Sequence, residues 1–385
     1  MPHINIFLSD LHIGVNAPTN LYQKTVHQKY LKAILKYIQD KGPQIQDLII
    51  LGDWLELCAY LPNSSVPSVK DIFNNNSDIF TPTDKPGDFV SCLDSIRGHF
   101  YFINGNHDLT VSANDINSHF RPLSKYGREI KLGTFRKDIY QSGEIHAEHG
   151  HRYSLFCRAD CSARNRYKPW PFGYYLARTA ALVCKQKLIR KRRKNAALLP
   201  GSGNPVFGIK SLLYSVPYIL DLLAGKMTLA QAVLFDFASL AGETDPETFL
   251  FAMPDGSRIT AADAAGMFPH LSVIHGWKGL LADATDELDR QGEALCRNHR
   301  VVVMGDTHTP KMVQYHVSPI RRSRSVNAVY VNTGFLCASK PELWFKRKLL
   351  SFVEVEQDRR KYVVRLKKVD YPSTNISTFA ESTLY

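Results

Sequence analysis

Five short segments end apolar runs with side chains that can hold metal ions. They are Asp10-Leu-His12, Gly52-Asp53, Gly105-Asn106-His107-Asp108, His149-Gly-His151 and Gly305-Asp306-Thr-His308. A mixed set of carboxylate, imidazole and amide oxygen suits Mn, Fe or Zn. Two such ions sharing a carboxylate can clamp a phosphoryl group and lower the pKa of a shared water, so no amino-acid nucleophile is required. Consistently, the chain has neither a G-x-S-x-G elbow nor a Walker A loop. Taken singly, each segment has an ordinary explanation. An acid after a strand is usually a helix cap or a turn residue, and a lone histidine there is usually structural. Five in order are hard to explain as caps.

The elements that must position these residues are legible around them. "HINIFLSDLH", "DLIILGD", "HFYFINGNHD", "EIHAEHGH" and "RVVVMGD" each read as an apolar strand ending in the polar set. Between the first two, Leu31, Ile34, Leu35 and Ile38 fall at helical spacing and Gly42 closes the helix. The Asn/Ser/Pro-rich stretch from Asn63 to Asp88 reads as a long surface loop, and "GDFVSCLDSI" as a short helix. Near the C-terminal side, "NAVYVNTGF" reads as a strand, and the segment around "SFVEVEQDRRKYVVRLKKVD" as a hairpin turning near Asp358. Strands alternating with helices predict an α/β sheet with its ligands at the strand ends. The expected organisation is one discontinuous α/β domain, residues 1–152 and 300–372. A helical insertion or cap (153–299) interrupts it, and a polar, frayed tail (373–385) follows.

The chain has 385 residues, 44% of them hydrophobic and 22% charged, enough for a sizeable core. Its net charge of +12 suits an anionic partner without choosing among phosphate ester, nucleic acid and lipid headgroup. Seven scattered cysteines form no CxxC and predict reduced thiols in a cytoplasmic protein. Neither a secretory signal nor a membrane span is read, which leaves peripheral membrane contact open.

The order D-x-H, G-D, G-N-H-D, H-G-H, G-x-x-H resembles the calcineurin-like metallophosphoesterase family, and "SDLH" with "GNHD" carries most of that resemblance. The resemblance implies an α/β (α+β) four-layer fold, a two-sheet β-sandwich flanked by helices. It also implies a phosphoesterase in which a hydroxide bridging two divalent ions attacks a phosphate ester. Asp10, His12 and His308 would hold the first ion, Asp53 would bridge, and Asn106 and His149 would hold the second. His107 would be the general acid, with Asp108 orienting it. One position departs from the pattern. The family's last motif has a histidine where this chain has Asp306, which either coordinates through oxygen, the favoured reading, or stands behind the ligands and leaves the second ion weak or absent. The added negative charge favours hard ions, so Mn is expected over Fe or Zn.

The insertion opens with aromatics among basic residues. Its run from Lys185 to Lys194 holds seven Lys or Arg in ten positions. That texture fits either a lid contacting acidic protein, nucleic acid or lipid headgroups, or a solvated helix face. His151, Arg152 and Arg158 are the candidate substrate contacts. Glu56 either reaches the site or is a helix N-terminal acid, while Trp54 and Leu57 read as core. Within the resemblance, the substrate ranges from a phosphoprotein to a lipid-precursor pyrophosphate. Outside it stand a non-catalytic metal-binding scaffold and a nucleic-acid-binding protein.

Overall fold

A computed structural model describes residues 2–83, 85–133, 138–154, 157–158, 170–192, 228, 230–232, 234–235, 245, 248–268, 284–318, 325–334, 350–370 and 372–385. In chain order the early elements are β1 (His3–Leu8), α1 (Lys24–Lys41), β2 (Ile45–Leu51), α2 (Val69–Asn75), α3 (Ser77–Phe80), α4 (Phe89–Ser95), β3 (His99–Ile103), α5 (Ala113–Leu123) and β4 (Lys131–Leu132). The hairpin β5 (Ile139–Ser142) and β6 (Ile145–Glu148) follows, then α6 (Phe172–Arg192), β7 (Leu250–Ala252), β8 (Arg258–Thr260), α7 (Ala261–Gly266) and α8 (Ala284–Cys296). The chain continues through β9 (Val301–Met304), β10 (Lys311–Val317), β11 (Val326–Asn332), β12 (Ser351–Asp358), β13 (Lys361–Val369) and β14 (Ile376–Leu384).

Two sheets result. One runs β14-β13-β12-β1-β2-β3-β4 and the other β10-β11-β9-β6-β5. Strands β1 to β4 are mutually parallel, as are β6, β9 and β11. Strand alternation explains how the sheets stack. Ile4, Ile6 and Leu8 pack with α1, α4 and α5, whereas Phe7 points the other way. Phe7, Ile49, Leu51 and Ile103 meet Ala147, Val301, Val303, Val329 and Val331 in the core between the sheets. On the outer side of the second sheet, Val302, Met304 and Tyr330 pack against Leu288 and Cys296 of α8. The layers are therefore helices, sheet, sheet, helix, the four-layer arrangement expected. Strands buried on both faces read as unbroken apolar runs, which is why "LIIL" and "VVVM" do not alternate.

Two expectations are corrected. The stretch from Asn63 to Asp88 is not a plain loop, since it contains α2 and α3. Ser68 and Asp71 form a reciprocal capping box, and Ile72, Phe73, Ile79 and Phe80 are buried around Trp54. The tail expected to fray is β14, paired with β13 from Tyr362 to Val369. Leu384 enters the core between the sheets while Thr378, Phe379 and Glu381 are exposed, so the segment's low hydrophobicity concealed a strand. The basic run at 185–194 was expected to mark the insertion, and its side chains lie outside the described residues. Thr260 caps α7, its side chain accepting from the Asp263 N–H.

Candidate metal centre

All five motif segments follow the C-terminal ends of parallel strands, so they converge on one edge of the sandwich. Asp10 and His12 follow β1, Asp53 follows β2, and Asn106 and His107 follow β3. The second sheet contributes His149 after β6, and Asp306 and His308 after β9. Asp10, His12, Asp53, Asp306 and His308 all have positive φ, between 49° and 65°. Left-handed backbone is strained for residues with a Cβ, and such strain concentrates at functional sites. Two glycines make the approach possible. A Cβ on Gly105 would lie 2.2 Å from Asp53 Oδ1, and one on Gly52, whose φ is +75°, would lie 2.6 Å from the His149 ring.

Asp53 is the hub. Its Oδ1 accepts the His107 backbone N–H at 2.9 Å. Its Oδ2 lies 3.5 Å from His12 Nε2 and 3.4 Å from His149 Nε2. On the His12 side, His308 Nε2 is 3.4 Å from His12 Nε2 and 3.2 Å from Asp10 Oδ1. Asp10, His12, Asp53 and His308 each offer a ligand atom within 4.8 Å of the others. On the other side, His149 Nε2 is 3.2 Å from Asn106 Oδ1 and 3.6 Å from Asp306 Oδ1.

Asp10, His12, Asp53 and His308 are able to hold a metal ion. His149 Nδ1 donates to the Leu51 carbonyl at 2.7 Å, which directs the Nε2 lone pair into the site. Asp10 Oδ1 is buried and faces His308 Nε2 at 3.2 Å. Its other oxygen accepts from Ser9 Oγ, which also meets Thr333 Oγ1. The electrostatics point the same way. Burial, reinforced by Asp10 and Asp53, pushes the Asp306 carboxyl up to about 7. Burial acts against charge on Asp53 too, yet His149, His107 and His12 hold its carboxyl well below the usual range. Burial opposes protonation of His149, and Asp53 beside it overrides this and raises the imidazole to about 10.

Glu56 is fully buried and outside any helix, so it is not a helix N-terminal acid. Its Oε1 lies 2.8 Å from His107 Nδ1 and its Oε2 3.0 Å from His12 Nδ1. The backbone N–H groups of Cys58 and Ala59 each donate to Oε1 at 2.8 Å. These contacts hold the Glu56 carboxyl far below its ordinary value despite burial, and Glu56 in turn raises His107 well above 6.5. The cluster of His12, Glu56 and His107 is thus a hydrogen-bonded triad rather than a third ion site. The role expected of Asp108 is corrected. Its Oδ2 accepts from Trp54 N at 2.8 Å and Leu55 N at 3.2 Å, and its Oδ1 from Gly105 N at 2.7 Å. It ties the second and third motif loops together, and Glu56 is the carboxylate on His107.

The candidate substrate contacts separate. His151 is buried 5.4 Å ring to ring from His149, and burial pushes its imidazole down to about 3. Arg152 donates to Glu148, which also accepts from His146 and Tyr153, so its guanidinium belongs to an ion pair on the strand β6 side. Arg158 is exposed. Trp54 is core, ringed by Phe73, Phe80, Phe89, Phe100, Phe102 and Phe120. Sequence reasoning missed Ser9, which donates to Asp10, and Thr333, whose hydroxyl meets that of Ser9. A hydroxyl immediately before the first acid was the available signal for Ser9, and Thr333 had none. Among the described residues Cys58, Cys92, Cys157 and Cys296 are free, and no helix is long and apolar enough to cross a membrane.

No family model and no curated protein matches the chain. Solved structures do. Vacuolar Protein Sorting 29 from Cryptosporidium parvum superposes with a TM-score of 0.35 at 11% identity, covering 99% of this chain and 98% of that one. A conserved uncharacterized protein from Streptococcus pneumoniae TIGR4, described as a predicted phosphoesterase, gives 0.28 at 8% identity, with 98% of both chains covered. PhoD gives 0.38 at 11% identity, covering 99% of this chain and 69% of that one. Likenesses at these scores say nothing about chemistry, which rests on the side chains above.

Proposed function

We propose that this protein is a dinuclear-metal phosphoesterase of the calcineurin-like type, hydrolysing a phosphate ester. The observation that carries the reading is Asp53 Oδ2, which faces His12 Nε2 of its own sheet and His149 Nε2 of the other at 3.5 and 3.4 Å. One carboxylate oxygen between two separate donor sets is what a pair of ions needs in order to share a ligand. Asp10, His12, Asp53 and His308 would hold one divalent ion, and Asp53, Asn106, His149 and Asp306 the other. When bound, the two ions would supply a water acidic enough to act near neutral pH and charge to offset the phosphoryl oxygens. Mn is the preferred ion, ahead of Fe and Zn, because Asp306 makes the donor set harder.

His107 supplies the remaining chemistry. Its Nδ1–H is taken by Glu56, so the proton available for the leaving oxygen is on Nε2. The buried Glu56 charge raises the imidazole well above 6.5 and so favours its protonated form. Because Glu56 also holds His12, it sets the acid and the first ion's ligand in fixed relation. On this reading residues 1–152 and 300–372, with β14, form the catalytic unit, and 153–299 is a cap over it. A cytoplasmic location accords with free thiols.

The test is hydrolysis by protein loaded in turn with Mn, Fe and Zn. The panel holds p-nitrophenyl phosphate, bis-p-nitrophenyl phosphate, phosphopeptides and a sugar-nucleotide diphosphate. Turnover abolished by His107→Ala and by Asp53→Ala is expected. No hydrolysis with any ion, or near-normal rates in either variant, overturns the proposal.

A further inference from the structure

The stretch of chain that follows Glu56 is gripped by one buried cation. Arg178 stands on α6 and is fully buried. Its Nη2 donates to the main-chain oxygens of Leu61 at 2.6 Å, Pro62 at 3.0 Å and Ser64. The guanidinium also lies 5.4 Å over the Tyr174 ring. Its partners among the described residues are thus neutral. Burying a cation against neutral partners is costly, and an apolar side chain at this place would avoid the cost.

The main chain gives the cation a task. Carbonyl oxygens that converge on one point repel one another unless positive charge sits among them. Removing the guanidinium would let residues 61–64 turn apart. Residues far along the chain tighten the same grip. The Ala252 N–H of β7 donates to the Pro62 oxygen at 2.7 Å, and Tyr174 Oη donates to the Ala252 oxygen at 2.8 Å.

At its other end this stretch holds the carboxylate behind the candidate acid. The N–H groups of Cys58 and Ala59 donate to Glu56 Oε1, which lies 2.8 Å from His107 Nδ1. Cys58 Sγ lies 3.8 Å from the main-chain oxygens of both Asn106 and His107. Thr19 and Asn20 fix the Ala59 oxygen from the core side. Only Tyr60 separates Ala59 from Leu61, the first residue that Arg178 holds.

We propose that Arg178 is a positioning residue for the candidate acid: it sets the turn that aims Glu56, and Glu56 aims His107. The catalytic half of this inference rests on the phosphoesterase reading, and the structural half does not. Residues 153–299 then support the acid from behind as well as covering the site.

The full chain carries the test, as Arg178→Met and Arg178→Lys. Without added metal, amide exchange read by NMR is expected to quicken about tenfold or more at Cys58 and Ala59 in Arg178→Met. Exchange at Trp54 and Gly105, whose N–H groups Asp108 holds, is expected to keep the parent rate. In metal-loaded protein, phenyl phosphate depends on a proton at its leaving oxygen far more than p-nitrophenyl phosphate does. Arg178→Met is expected to lose about tenfold or more on phenyl phosphate relative to p-nitrophenyl phosphate. Adding Glu56→Gln should not enlarge that selective loss. Arg178→Lys keeps the charge without the fork, so it should fold and lie between parent and Arg178→Met in both readouts. Exchange unchanged at Cys58 and Ala59 in both variants, exchange quickened equally throughout the chain, or equal losses on the two substrates overturns the proposal. A wild type that hydrolyses neither substrate overturns the phosphoesterase reading instead, and exchange still decides whether Arg178 sets the turn.

Discussion

Glu56 places its Oε1 2.8 Å from His107 Nδ1, while its other oxygen holds His12 at 3.0 Å. The candidate general acid and a candidate ion ligand are therefore oriented by one buried carboxylate. Replacing Glu56 by Gln keeps the shape but removes the charge and one acceptor. Turnover and cation affinity are both expected to fall, each by about 10- to 100-fold, as for other groups that orient metal ligands. Steady-state rates and cation titration of Glu56→Gln check this, and a loss confined to one of the two would separate the roles.

Asp108 predicts the opposite pattern. Its oxygens accept three backbone N–H groups and do not reach the His107 Nδ1 that Glu56 occupies. Asp108→Asn leaves a buried N–H without its acceptor and is expected to cost about 2–3 kcal/mol of stability. Urea unfolding measures that cost, and the rate per folded molecule should stay within a few-fold of the parent.

Asp306 is where the donor set departs from an all-histidine last motif, and its Oδ1 is 3.6 Å from His149 Nε2. Asp306→His removes a negative charge and adds a softer nitrogen donor. Preference among cations is expected to move from Mn toward Zn by about tenfold or more. Competitive loading followed by metal analysis reads this directly, and an unchanged profile would put Asp306 outside the coordination sphere.

Far from the centre, His27 gives the fold a pH dependence. The Gln23 N–H donates to its Nδ1 at 2.7 Å, and burial pushes the imidazole from its ordinary 6.5 down to about 4. The folded state then binds fewer protons than the unfolded state between those values, so stability falls as pH drops from 6.5 to 4. The loss across that window is on the order of 3 kcal/mol. Urea midpoints at pH 7.5, 5.5 and 4.5 should show the decline, and His27→Gln should reduce it, with buried His151 contributing the same sign in the same window.

The chain's own pattern determined the strands, their order of polar endings and the donor types, because a strand buried on both faces must be apolar and must turn polar where it leaves the core. Asp10, His12, Asp53, Asn106, His149 and His308 were legible as candidate donors at strand ends for that reason, whereas the four-layer arrangement was implied by the family resemblance. Polar segments with one apolar face were not. The helices Val69–Asn75 and Ser77–Phe80 and the strand Ile376–Leu384 bury their few large side chains against partners distant in sequence. Which carboxylate serves His107 was decided by tertiary structure alone. Asp108 is its neighbour in sequence, but Asp108 is drawn to the N–H groups of Trp54, Leu55 and Gly105, and that leaves the imidazole to Glu56, 51 residues away. A carboxylate's role follows from which donors the folded backbone turns toward it, and sequence adjacency carries no information about that direction.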